Sequence, residues 1–243
     1  MPSKIAVRRL LTYAAAATLA LALSPTAAQA STALVQHSAA TTHSASGAHP
    51  LTAPPPGQIT ISIVTVNGSG CPAGSAAVAV SPDNTAFTVT YSQYLAQVGV
   101  GAKPTDRYRN CQLDLSVHVP QGFTYAIASA DYRGFADLAS GATGTETANY
   151  YFQGNPQTTP SSHRFNGPYE DNWEGVDSVP VAALVFAPCG AQRNFNINTQ
   201  ILVNPGTSDT STTNSFMTMD STDGSVNTIY QFAWETCPGS THK

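Results

Sequence analysis

The chain has 243 residues, 10% of them charged and 42% hydrophobic, with a formal net charge of −4. Without the three N-terminal cations, Lys4, Arg8 and Arg9, it holds seven basic against fourteen acidic side chains, a net charge of −7. That balance argues against nucleic acid and anionic membranes as partners, because both are recognised through basic surfaces.

The first thirty residues read as an export signal. A positive region is followed by the apolar run Leu10 to Leu23, too short for a stable membrane anchor, and by the small-x-small pattern Ala28-Gln29-Ala30. Cleavage after Ala30 is expected, giving a secreted, extracellular protein. Residues 31–57 are rich in Ala, Ser, Thr and Pro and lack periodicity, so they read as a disordered linker. Its histidines, His37, His43 and His49, have no Cys or acid beside them and read as solvated. Residues 58–238 are predicted to form one domain, with 239–243 as a tail. Four cysteines, Cys71, Cys111, Cys189 and Cys237, suggest two disulfides in an exported chain. Sequence permits three pairings. Cys71–Cys111 with Cys189–Cys237 is favoured because each closes the shorter loop, and each bridge would stabilise by roughly 4 kcal/mol in the chain-entropy model.

Strand patterns recur along the domain. "ITISIVTV" opens it with β-branched residues. "AFTVTY" places Phe87, Val89 and Tyr91 on one face. Weak helical spacing appears only around "SQYLAQVG", 92–99. "LDLSVHV" turns Leu113, Leu115, Val117 and Val119 inward and leaves His118 on the polar face. In "FTYAIASADYRGFADL", Ala126 to Leu138 at every second position form a small-residue face, Gly134 marks a candidate bulge, and Asp131 and Arg133 are placed to pair. "VPVAALVFAPC" is apolar on both faces and predicts a strand covered on both sides. "RNFNINTQILVN" alternates Phe195, Ile197 and Ile201 with a polar row, Asn194, Asn196, Asn198 and Gln200. Asp223-Gly224 reads as a hairpin turn, and "TIYQFAWETC" closes the domain. Many short strands and little helix predict an all-β fold, an antiparallel β-sandwich stapled by two disulfides.

Several of these motifs occur together in a known family. "CPAGS", "SPDNTAFTVTYSQYLAQVG", "RNCQLDLSVHVPQGFTYAIASADYRGFADL", "YYFQG", "PCGAQRNFNINTQILVN" and "SFMTMDSTDGS" resemble the uncharacterised secreted family called domain of unknown function 4360. The resemblance spans about 58 to 237. It implies an exported single-domain protein and supplies no catalytic residue to carry over.

The sequence has no nucleophile elbow, zinc motif or phosphate-binding loop, and no motif calls for a cofactor. The most acidic stretch is "GPYEDNWEGVD", 167–177, with four acids beside Tyr169 and Trp173. If the stretch is extended, Glu170 and Glu174 lie about 13 Å apart, whereas a glycosidase pair needs about 5–9.5 Å. A binding role is less demanding. Tyr169 and Trp173 could stack on a sugar beside Asp171, and Asn194, Asn196 and Asn198 offer a second polar surface. The leading expectation is a non-enzymatic, monomeric binding module for a surface glycan or an extracellular protein. The alternative is an extracellular carboxylate-dependent hydrolase acting on polysaccharide or peptide.

Overall fold

A computed structural model of the protein describes residues 51–158, 160–220 and 227–239. The export signal, the linker up to residue 50, the Asp223-Gly224 turn and the last four residues lie outside the described residues. The chain divides into two units, 1–44 and 45–243, and every described residue belongs to the second.

The strands in chain order are β1 (Thr60–Asn67), β2 (Ala76–Val80), β3 (Ala86–Tyr91), β4 (Leu95–Gly99), β5 (Tyr108–His118), β6 (Phe123–Leu138), β7 (Thr143–Phe152), β8 (Ser161–Asn166), β9 (Tyr169–Ser178), β10 (Phe195–Asn204), β11 (Asn214–Thr218) and β12 (Thr228–Thr236). They form two antiparallel sheets. One has five strands in the order β1-β5-β10-β7-β8. The other has seven, in the order β2-β3-β12-β6-β11-β4, with β9 also paired to β6. The fold is the all-β, sandwich-like architecture that alternation predicts. The cysteines pair as Cys71–Cys111 and Cys189–Cys237.

Period-two patterning puts one face of each sheet into a shared core. Leu113, Leu115, Phe195, Ile197 and Ile201 of the five-stranded sheet are buried, as are Phe87, Val89, Tyr132 and Tyr230 of the seven-stranded one. Aromatic rings bridge the two layers: Phe195 meets Phe87 edge-on at 6.5 Å, and Phe152 meets Tyr125 at 5.3 Å. Rings of this size each contribute about 1.5–3 kcal/mol through burial, and edge-to-face geometry adds to that.

Four segments depart from the sequence reading. The folded part begins earlier than residue 58, because Thr52 pairs with Trp234 and the Asn84 side chain donates to the carbonyls of Pro55 and Gly57. Backbone pairing, invisible to composition, recruits the end of the proposed linker. Residues 95–99 form strand β4 on β11, so sheet pairing overrides the weak helical spacing. In β6 the irregularity lies between Ile127 and Ser129, where Phe232 pairs with Ile127 and Gln231 with Ser129. The extra residue, Ala128, reverses the side-chain parity. Tyr125 and Ile127 therefore point inward together with Ala130 and Tyr132. Gly134 serves a close approach instead: a Cβ there would lie 2.0 Å from the Thr218 carbonyl and 2.8 Å from the Trp173 indole nitrogen.

The fourth departure is 179–188, which is a loop rather than a covered strand. Only its ends bond to β6, through Val179 N–H to Ala128 O and Ala187 N–H to Tyr125 O. Pro180 and Pro188 lack donors for a ladder. The middle turns through a short 3-10 segment, Val181–Ala183, and leaves Val181 and Val185 exposed.

Candidate functional site: an amide-lined groove

The outward faces of β5, β10 and β7 carry uncharged polar side chains in register. Gln112, Asn198 and Asn149 stand side by side across the three strands, and Asn110, Gln200 and Thr147 form the adjacent row. Each row spans about 10 Å, and the rows lie about 6.7 Å apart. They floor a groove of about 320 Å³, walled by Gln157 and Pro160 from the β7–β8 loop and by Tyr108 at the start of β5. That volume is at the lower limit of the ~300–1,000 Å³ usual for ligand clefts. None of its described lining residues is charged.

The groove is partly pre-organised. The Tyr108 hydroxyl donates to Gln200 Oε1 at 2.8 Å and thereby fixes the ring, which is 43% exposed. Asn149 Nδ2 donates to Gln157 Oε1 at 3.0 Å, and Ser69 Oγ donates to Asn110 Oδ1 at 3.0 Å. Each bond occupies one end of an amide and orients the other, so the floor presents donors and acceptors at fixed spacing.

The sequence-selected residues separate into two places. Asn196 and Asn198 share the outward face of β10 and Asn194 immediately precedes that strand, but only Asn198 lines the groove. Asn194 donates to Asp114 Oδ2 at 3.1 Å, and Asn196 is only 9% exposed, so neither offers a free amide to a ligand. Tyr169, Asp171 and Trp173 lie on β9 of the other sheet. Trp173 is 2% exposed, as buried as Trp234. Its indole donates to the Thr218 carbonyl at 2.9 Å and its ring packs on Phe165 at 5.4 Å. The central ring of β9 is therefore a core ring and not an exposed stacking platform. Tyr169 packs on Phe165 and donates to the Asn172 carbonyl, while Asp171 accepts from the Asn172 N–H. Glu174 pairs with Arg133 at 2.8 Å, and Arg133 also lies 3.7 Å from Asp131. Of the four acids in this stretch, Glu174 is ion-paired at the surface and Asp177 faces His163; exposed charge on a strand protects it against unwanted pairing.

Tyr108, Asn110, Gln112, Thr147, Asn149 and Gln157 were not singled out from the sequence. Their signal was present as strand parity: "YRNCQLD" and "TETANYY" place amides and hydroxyls at alternate positions. Register between β5, β10 and β7 is what makes them neighbours, and the chain order does not reveal it.

The model for Domain of unknown function (DUF4360) matches residues 57–237. The chain belongs to this family. A fungal relative of this DUF4360 chain, an uncharacterized secreted protein of Arthroderma benhamiae, is 35% identical over 185 residues, 76% of this chain and 74% of its own. The DUF4360 protein is secreted, in agreement with its export-type N-terminus. Among solved structures it is similar to TmCBM61 in complex with beta-1,4-galactotriose, at 8% identity and a TM-score of 0.28, over 73% of this chain and 88% of the other. It is also similar to the enzymatically active domain of bacteriophage CBA120 tailspike protein 4, at 12% identity and a TM-score of 0.25, over 71% of this chain and 19% of the other. No helix among the described residues is long and apolar enough to cross a membrane.

Proposed function

We propose that the protein is an extracellular binding module that holds a segment of neutral glycan in the groove on the five-stranded sheet. The observation that carries this reading is the pair of registered amide rows beside an exposed, hydroxyl-anchored tyrosine ring, with no charge among the described lining residues. A sugar presents an apolar ring face and a rim of hydroxyls that both donate and accept. Tyr108 supplies the stacking face. Asn198, Gln112 and Asn149 supply both kinds of hydrogen-bonding group. No carboxylate is among the described residues that line the groove, whereas a carboxylate-dependent hydrolase needs a pair of them.

The test is retention of the purified secreted protein on a panel of neutral and acidic polysaccharides. Tyr108→Ala should weaken capture by about 1–3 kcal/mol, and Asn198→Ala by about 0.5–1.5 kcal/mol. Trp173→Phe should leave capture unchanged. Retention should be insensitive to salt, since no lining charge is available for screening. Binding confined to acidic polymers, or unaltered in Tyr108→Ala, would refute the assignment.

A further inference from the structure

A second group of polar side chains lies inside the sandwich, away from the groove. Glu146 on β7 is wholly buried, and neither of its carboxyl oxygens has a hydrogen-bond partner. His163 stands directly opposite it on β8, with Nδ1 3.8 Å from Glu146 Oε2 and likewise without a partner. The other imidazole nitrogen, Nε2, is 3.2 Å from Asp177 Oδ1 on β9 of the other sheet. Asp177 Oδ2 also accepts from the Ser161 hydroxyl at the start of β8. Gly175 makes room for the imidazole: a Cβ there would lie 2.5 Å from His163 Nδ1. One ring is thus held between two carboxyl groups that belong to opposite sheets. The ring's two nitrogens face different acids, and no group of three or more such side chains among the described residues is placed to hold a metal.

Among the described residues no Lys or Arg is paired with Glu146. The charge acting on Glu146 is that of Asp177, of like sign. The other titratable groups within its influence are phenols: Tyr132 on β6, Tyr230 on β12, Tyr91 on β3, and Tyr94 before β4. The hydroxyls of Tyr91, Tyr132 and Tyr230 have no partners either. Asp177 occupies the Nε2 side of His163, so the Glu146 carboxyl is the acid left to meet Nδ1. A carboxyl that keeps its hydrogen can donate to a ring nitrogen, and a carboxylate cannot. Burial, reinforced by Asp177, raises the Glu146 carboxyl to about 9, in the direction the geometry requires.

We propose that Glu146, His163 and Asp177 form a proton-operated clasp, in which a protonated Glu146 carboxyl set against one nitrogen of His163, with Asp177 on the other, ties β7 and β8 of one sheet to β9 of the other. Strands β8 and β9 are consecutive, joined by Gly167-Pro168, and the clasp holds them together away from that turn, where the first half of β8 meets the end of β9. Opening the strands there exposes Glu146 to water and releases its proton. Counted on Glu146 alone, the closed form therefore binds one proton more than the open form between about pH 4.5 and about 9. By linkage the Glu146 contribution to the clasp is greatest at the acid end and declines as pH rises through this window.

Hydrogen exchange of the β8 and β9 amides in the intact protein reads the opening directly. From pH 6 to pH 8 the opening equilibrium of the wild type should rise about a hundredfold relative to that of Glu146→Gln, which keeps the shape and has no proton to lose. Equal pH responses in the two proteins would overturn the proposal. The ¹³C carboxyl resonance of Glu146 provides a second reading that needs no foldable Gln variant. It should stay protonated at pH 7 in the wild type, and its midpoint should fall in Asp177→Asn, where the like charge is gone. Titration of Glu146 in the ordinary carboxylate range, or a midpoint indifferent to Asp177→Asn, would equally overturn it.

Discussion

Asp220 adopts φ 63°, a left-handed conformation that Asp and Asn tolerate better than other side chains. That conformation turns its buried carboxylate onto the Tyr91 N–H at 2.7 Å and the Thr228 hydroxyl at 3.3 Å, fastening the end of β3 to the start of β12. Burial raises the carboxyl to about 7, against the opposing pull of these hydrogen bonds. A carboxyl raised in the folded state penalises folding once the unfolded chain can ionise. Its contribution is therefore most favourable below about pH 4 and declines up to about pH 7. Asp220→Asn keeps the shape, removes the titrating group and should flatten the melting temperature over that range. Asp220→Ala leaves the Tyr91 N–H without an acceptor and should cost about 1–3 kcal/mol. A profile for Asp220→Asn parallel to that of the wild type would contradict this account.

At the scale of elements, the two disulfides differ in access. Cys71 and Cys111 are 0% and 2% exposed, whereas Cys189 lies exposed in the loop after the 3-10 turn. Thiol exchange requires the attacking thiolate to reach a sulfur. Brief treatment with a mild reductant, followed by alkylation and peptide mapping, should label Cys189 and Cys237 before Cys71 and Cys111. Labelling in the reverse order would show that the buried bridge is the more reachable one. Strand identity was legible in the sequence because alternation over Phe87–Tyr91, Leu113–Val117 and Phe195–Ile201 reports burial directly. The pairing of strands was not legible. "VPVAALVFAPC" looks like a central strand until its prolines have to find partners. Trp173 looks like a platform until Gly134 on β6, 39 residues earlier in the numbering, admits its indole. Glu146 was overlooked although it carries a local sign: an acid at an inward position of an otherwise alternating strand. What it faces depends on β8 and β9, which lie further along the chain.

The whole molecule is interleaved. The loop at 153–157 divides the strands into β1–β7 and β8–β12. In the five-stranded sheet β10 lies between β5 and β7; in the other, β12 lies between β3 and β6, and β11 between β6 and β4. Each disulfide joins cysteines on one side of that loop. A chain nicked near Gly154 should therefore consist of two covalently separate pieces that stay together under native conditions and part only on denaturation, even without reductant. Separation of the pieces in native gel filtration would argue against this interlocking. The same strand order bears on how an exported chain matures. When the chain is available only as far as β7, β5 and β7 have no strand between them, and β3 and β6 have none either. Each gap is filled by a strand from the last fifth of the chain. The two sheets must therefore wait for the C-terminus, and the domain reaches its final pairing only after almost the entire polypeptide has crossed.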